Sequence, residues 1–128
     1  PDVCKWQQAD VFDYLRRARE AGDTYDLIIL DPPKFASSHY HVDRAARAYK
    51  DINLNGLRLL RAGGQLLTFS CSGAIDTDLF QKIVAGAVID SRRQAWALTR
   101  FGAGVDHPLL MTFPEGEYLK GLHLKLCD

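Results

Sequence analysis

The residue pattern predicts an α/β fold in which strands and helices alternate, and three observations carry that reading. Leu27 to Leu30 is an unbroken run of four large aliphatic residues. A strand so continuously apolar is expected to be buried on both faces, as in the middle of a parallel sheet covered by helices. That run and a second one, Gln65 to Phe69, each end in a loop of proline or small polar residues and then pass into helical periodicity. Strand, loop and helix in that rhythm describe a doubly wound layout. Finally, 128 residues, 47% of them hydrophobic, make one domain with enough apolar material for a core. No repeat, low-complexity tract or linker divides residues 1–128.

The elements follow in order. Val3 to Gln7 reads as a short strand ending in Ala9-Asp10. Val11 to Glu20 fits a helix with Val11, Leu15 and Ala18 on one face, Asp10 as its N-cap and Gly22 as its stop. The apolar strand follows and delivers a carboxylate, Asp31, before Pro32-Pro33-Lys34-Phe35. The segment Ala36-Ser37-Ser38-His39-Tyr40-His41 is polar and reads as a loop. His39 and His41 have no third ligand in view, so no metal site is expected. Val42 to Arg61 is helical again, stopped by Gly63-Gly64, and the strand Gln65 to Phe69 ends in Ser70-Cys71-Ser72-Gly73. Asp76 or Thr77 caps a helix carrying Leu79, Phe80, Ile83, Val84 and Ala87. Ala95 to Phe101 is a strand. A loop with Gly102, Gly104, Asp106-His107-Pro108 and Pro114-Glu115-Gly116 leads to a closing half-exposed strand, His123 to Cys127, with Leu122, Leu124 and Leu126 alternating.

Sixteen basic and sixteen acidic side chains cancel, which argues against strong nucleic-acid affinity by this piece alone, although a local basic patch is compatible with it. Three widely spaced cysteines, Cys4, Cys71 and Cys127, fit a reducing compartment and no zinc site. No signal peptide or membrane-spanning run is present, so the expected location is cytoplasmic, with no membrane partner. The abrupt start at Pro1, just before a strand-like segment, reads as a fragment of a longer protein. There is also no Gly-x-Gly-x-x-Gly motif, so half of any nucleotide site is expected outside these residues.

The chemistry is expected where the two apolar strands end. Ligands of open α/β sheets sit beyond the carboxyl ends of the strands. Neighbouring strands run about 5 Å apart, so adjacent parallel strands would bring Asp31 and Cys71 to one cleft. Cys71 lies in a turn of small residues before a capped helix, a setting that leaves a thiol accessible and favours its thiolate. Cys4 and Cys127, inside strand-like runs, read instead as small buried hydrophobes. The prolines hold their loop extended and lack N–H donors, leaving carbonyls free to accept.

The Asp31-Pro32-Pro33-Lys34-Phe35 loop, Tyr49-Lys50-Asp51-Ile52-Asn53 and Leu67-Thr68-Phe69-Ser70-Cys71-Ser72-Gly73 resemble the bacterial 23S ribosomal RNA cytosine-5 methyltransferases of the RlmI type. Asp106-His107-Pro108 and Tyr118-Leu119-Lys120-Gly121 fit the same family, and the resemblance runs in order over nearly the whole chain. It implies a Rossmann-like class I fold dependent on S-adenosylmethionine, truncated at the N-terminus before its first strand and Gly-rich motif. Residues 1–128 would be the C-terminal portion of that catalytic domain, without the family's RNA-binding PUA domain. By the same likeness Asp10 approaches the adenine of the cofactor, Asp31 and Pro32 border methyl donor and target base, and Cys71 is the nucleophile. Many RNA cytosine-5 methyltransferases carry a second cysteine after this proline, where the present chain has Lys34.

The residue types suit that reaction. Carbon 5 of cytosine is too weak a nucleophile to accept a methyl group directly, and thiolate addition at carbon 6 activates it. A carboxylate such as Asp31 hydrogen-bonds the ring nitrogen edge and stabilises its protonated form as charge moves in. Pro33, Lys34 and Phe35 are candidate substrate contacts. Lys34 meets RNA phosphate or is a solvated loop lysine; Phe35 stacks on a base or anchors the loop. Tyr49, Lys50 and Asn53 receive no role. Two other readings are carried: an amino-group methyltransferase using the prolyl carbonyl, and a non-catalytic piece that self-associates. Loss of a strand beside Leu27–Leu30 would expose an apolar edge, with homodimerisation, strand exchange or aggregation as the outcome. The chain by itself is expected to be inactive and to bind cofactor poorly.

Overall fold

A computed structural model describes residues 3–35, 41–102 and 119–128. Expectations placed on His39, on Asp106-His107-Pro108, on Pro114-Glu115-Gly116 and on Tyr118 lie outside those residues. The elements are α1 (Val11–Glu20), β1 (Tyr25–Leu30), α2 (Val42–Arg58), β2 (Leu60–Ser70), α3 (Thr77–Ser91), β3 (Ala95–Phe101) and β4 (Lys120–Leu126). The four strands form one sheet in the order β1-β2-β4-β3. β1 and β2 are parallel, and the other two pairings are antiparallel. Among the described residues no helix is long and apolar enough to cross a membrane.

The helices begin where the sequence provides caps. The Asp10 carboxylate accepts from the Asp13 amide at 3.1 Å, and Asp76 does the same for Leu79 at 2.7 Å. Each such cap is worth about 1 kcal/mol, because it satisfies an amide donor that the first helical turn leaves without a partner. α1 closes at Ala21, and Gly22 follows at φ +78. α2 packs between α1 and α3 and against β1 and β2. The core is made by Tyr49, Ile52 and Leu57 of α2, Leu66 of β2, Phe80 and Val84 of α3, and Leu122, Leu124 and Leu126 of β4.

Several expectations are corrected. Residues 3–7 form no strand and are exposed; a β-type sequence remains irregular when no neighbouring strand accepts its backbone bonds. Leu27–Leu30 is not buried on both faces. Leu27 is 49% exposed and Ile29 58%, whereas Leu30 is buried. β1 is an edge strand, and only its helix-facing side is covered. The alternation extends across the sheet: Leu30, Leu66, Thr68, Leu122 and Leu124 are buried, while Trp96 and Phe101 look out from the opposite side. The described helices therefore cover one face, and the doubly wound expectation is met on that face only.

α2 ends at Arg58, three residues before the predicted stop, and β2 starts at Leu60. Gly63-Gly64 lies inside the strand. Tyr25 pairs with Leu60 and Leu27 with Gln65, so β2 carries three extra residues there. Gly63 has φ +75, and a Cβ on Gly64 would stand 2.9 Å from the Arg61 carbonyl and 3.2 Å from that of Asp26. Glycine allows both the turn and the close approach. β4 begins at Lys120, three residues earlier than expected, and its leucines are buried. Cys4 and Cys127 are exposed free thiols: the first lies in the irregular segment, the second just past β4.

Arg93 ties the base of the domain together. Its guanidinium donates to the carbonyls of Leu57, Leu60 and Arg61 and to both carboxylate oxygens of Asp128. That joins the α2–β2 junction to the end of β4. Arg93→Ala leaves several partly buried carbonyls without donors and should lower stability by about 2–3 kcal/mol, read as a shifted midpoint in urea unfolding; a change below about 0.5 kcal/mol would refute the assignment. Arg93 also holds the Asp128 carboxyl below its ordinary 3.8, first through the hydrogen bond and then through charge. A depressed carboxylate stabilises the fold above its unfolded value, and the contribution fades as pH falls through the folded value. The stability gap between the native chain and Asp128→Asn should therefore be present at pH 7 and shrink steadily below about pH 4.

Candidate active site at the carboxyl ends of β1 and β2

Parallel pairing brings the two sequence motifs to one end of the sheet. Leu30 is the partner of Thr68, so Asp31 leaves β1 one residue beyond the last rung and Cys71 follows three residues after Thr68. Asp31, Pro33 and Lys34 are exposed, and Pro32 between them is buried. The buried ring fixes the loop while the flanking polar groups face outward. Asp10 is exposed as well, with one carboxylate oxygen engaged as the α1 cap.

Phe35 closes the loop. Its ring lies 5.9 Å from Phe12 and 4.7 Å, edge-on, from Tyr49, which in turn meets Phe80 edge-on at 6.0 Å. Offset and edge-to-face pairs add roughly 0.5–1.5 kcal/mol each beyond burial. The Asp-Pro-Pro loop is thereby anchored to α1 and α2 directly, and to α3 through Tyr49. Lys34 makes no ion pair among the described residues, and Lys50 pairs with Asp90 on α3 at 2.8 Å.

Cys71 is half-buried in a tight turn. Ser70 and Ser72 on either side are buried, and the Ser70 hydroxyl accepts from the Ser72 amide at 3.3 Å. The Ile75 amide donates to the Ser72 carbonyl at 3.2 Å, and Asp76 then caps α3. Beneath the turn lie two residues to which the sequence reading gave no role. One is Lys120 at the start of β4, 3% exposed, whose ammonium donates to the carbonyls of Ser72 and Ile75. The other is Tyr49, fully buried. Among the described residues its hydroxyl has no partner that meets hydrogen-bond geometry, although the Ser70 hydroxyl and the Phe35 backbone lie near enough to oppose the upward push of burial on the phenol. The geometry makes these approaches, not formed bonds.

A signal for Lys120 does exist in the sequence. Residues 120, 122, 124 and 126 are in phase, so a strand that buries three leucines buries the lysine with them. Tyr49 falls on the apolar face of α2, and only packing reveals that its hydroxyl points toward the Ser70–Cys71 end. His41 is exposed ahead of α2, and among the described residues no group of three His, Cys, Asp or Glu side chains is arranged to hold a metal ion.

Comparison with known proteins places this arrangement. Two solved structures match at TM-score 0.74 and 25% identity, covering 91% of this chain and about 30% of theirs. One is classed as a SAM-dependent methyltransferase from Streptococcus mutans; the other, SMU.776, is classed as a methyltransferase and was solved in complex with SAH. The fold is thus the Rossmann-like class of SAM-dependent methyltransferases, of which the described elements form one part. More particularly, the chain is 51% identical over 121 residues, 94% of its length, to the ribosomal RNA large subunit methyltransferase I of Shewanella frigidimarina. It spans about 30% of the length of the curated relatives it matches. No family model matches the chain. The resemblance read from the motifs and the relative found by comparison agree.

Tyr49→Phe tests the buried hydroxyl. The ring contacts remain and an unsatisfied polar atom is removed, so the variant should equal the native chain or exceed it by up to about 1 kcal/mol in chemical unfolding. A loss above about 1 kcal/mol would show that the hydroxyl is bonded in the folded protein.

Proposed function

We propose that this chain is part of a larger S-adenosylmethionine-dependent enzyme that methylates carbon 5 of a cytosine in 23S ribosomal RNA, with Cys71 as the nucleophile. The observation that carries the reading is the parallel β1–β2 pairing, which sets an exposed carboxylate and a half-buried thiol at adjacent strand ends. The name shared by the curated relatives supports large-subunit ribosomal RNA as substrate. A cytoplasmic enzyme fits that substrate. A homodimer through the β1 edge has no support beyond the exposed strand itself.

The residues present fit one side of a cofactor site. Asp10 and Asp31 are exposed carboxylates that follow consecutive segments of the chain, suited to accept from adenine or the amino-acid end, and Pro32 holds the second in place. Bound there, the cofactor would supply an electrophilic methyl group. Everything else is the work of the protein. The target cytosine must be splayed out of its stack to reach the strand ends. The Cys71 thiolate forms a bond to carbon 6, and the electron pair displaced from the 5,6 double bond makes carbon 5 nucleophilic. Asp31 hydrogen-bonds the ring nitrogen edge and stabilises its protonated form, so that the charge brought in by the thiolate is neutralised on the base. Pro33, Lys34 and Phe35 flank the base, with Lys34 available to a phosphate. After methyl transfer, solvent water acting as base takes the carbon 5 proton, the electron pair of that C–H bond re-forms the double bond, and the thiolate leaves. Lys34 occupies the position where many related enzymes place a second cysteine, so that position supplies no thiol to the last step.

The test joins the chain to the remaining part of such an enzyme and supplies S-adenosylmethionine with rRNA containing 5-fluorocytidine. Fluorine at carbon 5 blocks the final elimination, so a covalent RNA adduct should persist and map to Cys71. On ordinary rRNA, Cys71→Ala should reduce methyl transfer by about a thousandfold or more, as expected when a nucleophile is removed. Methylation that survives this change, without an adduct in the native protein, would shift the assignment to an exocyclic amine accepted by the prolyl carbonyl.

A further inference from the structure

Lys120 is the most deeply buried cation among the described residues, and its position is unusual for a side chain of this kind. It opens β4 opposite Ser70 of β2, and its stem runs on the helix-facing side in phase with Leu122 and Leu124. An ammonium removed from water is costly unless donors and charge are compensated. Compensation here comes from two backbone carbonyls, Ser72 at 2.7 Å and Ile75, both in the turn that follows Cys71. The same turn is closed by the Ile75 amide bonding to the Ser72 carbonyl. Burial lowers the lysine pKa, while Cys71 and Asp76 nearby act in the opposite direction. Lys120 is the cross-strand partner of Ser70 and its ammonium bonds the Ser72 carbonyl, so it contacts the residues on both sides of Cys71.

Two neutral donors would satisfy those carbonyls as well as a lysine does, at less desolvation cost. A buried positive charge becomes useful when a negative one forms beside it. We propose that Lys120 is the positioning residue for the Cys71 thiolate, clamping the turn that presents the sulfur and setting a fixed positive charge beside it. The proposal rests on the reading of Cys71 as nucleophile. In that reaction the charge favours the thiolate before it adds to the base and again when it departs.

The test uses this chain and its own internal references. Cys4 and Cys127 are exposed free thiols remote from β1 and β2 carboxyl ends in sequence, so the iodoacetamide alkylation rate of Cys71 is expressed relative to Cys127 by peptide mapping at pH 7. Lys120→Met removes the charge and the donors. Lys120→Gln removes the charge and keeps an amide donor for the carbonyls. The expected result is a relative rate for Cys71 about tenfold lower in both variants, the effect of one nearby charge on a thiolate. Melting temperature should fall further in Lys120→Met than in Lys120→Gln. A lysine with a structural role alone would lower melting temperature and leave the relative rate unchanged once Lys120→Gln restores the bonds. A relative rate within twofold of the native chain, or above it, in either folded variant overturns the proposal. So does failure of both variants to fold, which would make Lys120 a residue of the fold only. The 5-fluorocytidine experiment separates the two ideas. An adduct on Cys71 with no alkylation effect sinks the clamp alone; no adduct with the alkylation effect intact sinks the nucleophile reading alone.

Discussion

The parallel ladder between β1 and β2 is the constraint on which the site depends. Its register is set at the other end of the strands, where β2 makes its three-residue excursion through Gly63-Gly64 and the Asp26 backbone comes close to Gly64. A side chain at Gly64 would push the two backbones apart, and a slip of one residue would turn every alternating side chain to the wrong face. Because Leu30 meets Thr68, the Asp-Pro-Pro loop and the Cys71 turn leave the sheet within a few residues of each other. The antiparallel β4 then brings Lys120 beneath the same turn from the opposite direction.

Along the helix-facing side of the sheet, polarity rises toward that end. The rung of Ile28, Leu66 and Leu124 is apolar; the next polar position is Thr68, and then come Ser70 and Lys120. Tyr49 and Asn53 are buried on α2, and among the described residues the Tyr49 hydroxyl, the Asn53 side-chain oxygen and the Thr68 hydroxyl are buried without hydrogen-bond partners. Unsatisfied buried polar atoms cost about 1–3 kcal/mol each. Their concentration beside the candidate site fits the general pattern in which proteins depart from ideal packing where they carry out chemistry. The aromatic chain Phe12–Phe35–Tyr49–Phe80 offsets part of that cost and keeps the loop in place.

The opposite face of the sheet has a different character. Leu27, Ile29, Trp96, Leu98 and Phe101 are all substantially exposed there or along its rim. Single exposed apolar residues are ordinary, but several on one sheet face exceed what a solvated surface needs. Helix α2 packs against both β1 and β2 on the other side.

How much was legible follows from which forces are local. Helix α1 with its Asp10 cap was readable to the residue, and the start of α3 to within the choice between Asp76 and Thr77 as its cap, because capping and 3.6-residue periodicity act within a few positions. The strand and loop of Asp31-Pro32-Pro33 and the turn holding Cys71 were readable for the same reason, as was the family resemblance spread over several segments. Three things were not. Periodicity cannot say whether an apolar strand has both faces covered, so Leu27 and Ile29 were expected inside. Residues 3–7 have strand-like composition, but a strand exists only when another strand pairs with it. The approach of Lys120 to Ser72 and Ile75 joins positions 45 and more residues apart. Sequence by itself determined which local pieces form and which reactive groups end them; only the tertiary structure decided which faces are buried and which distant side chain stands behind the thiol, because burial and long-range pairing depend on neighbours that local preference does not specify.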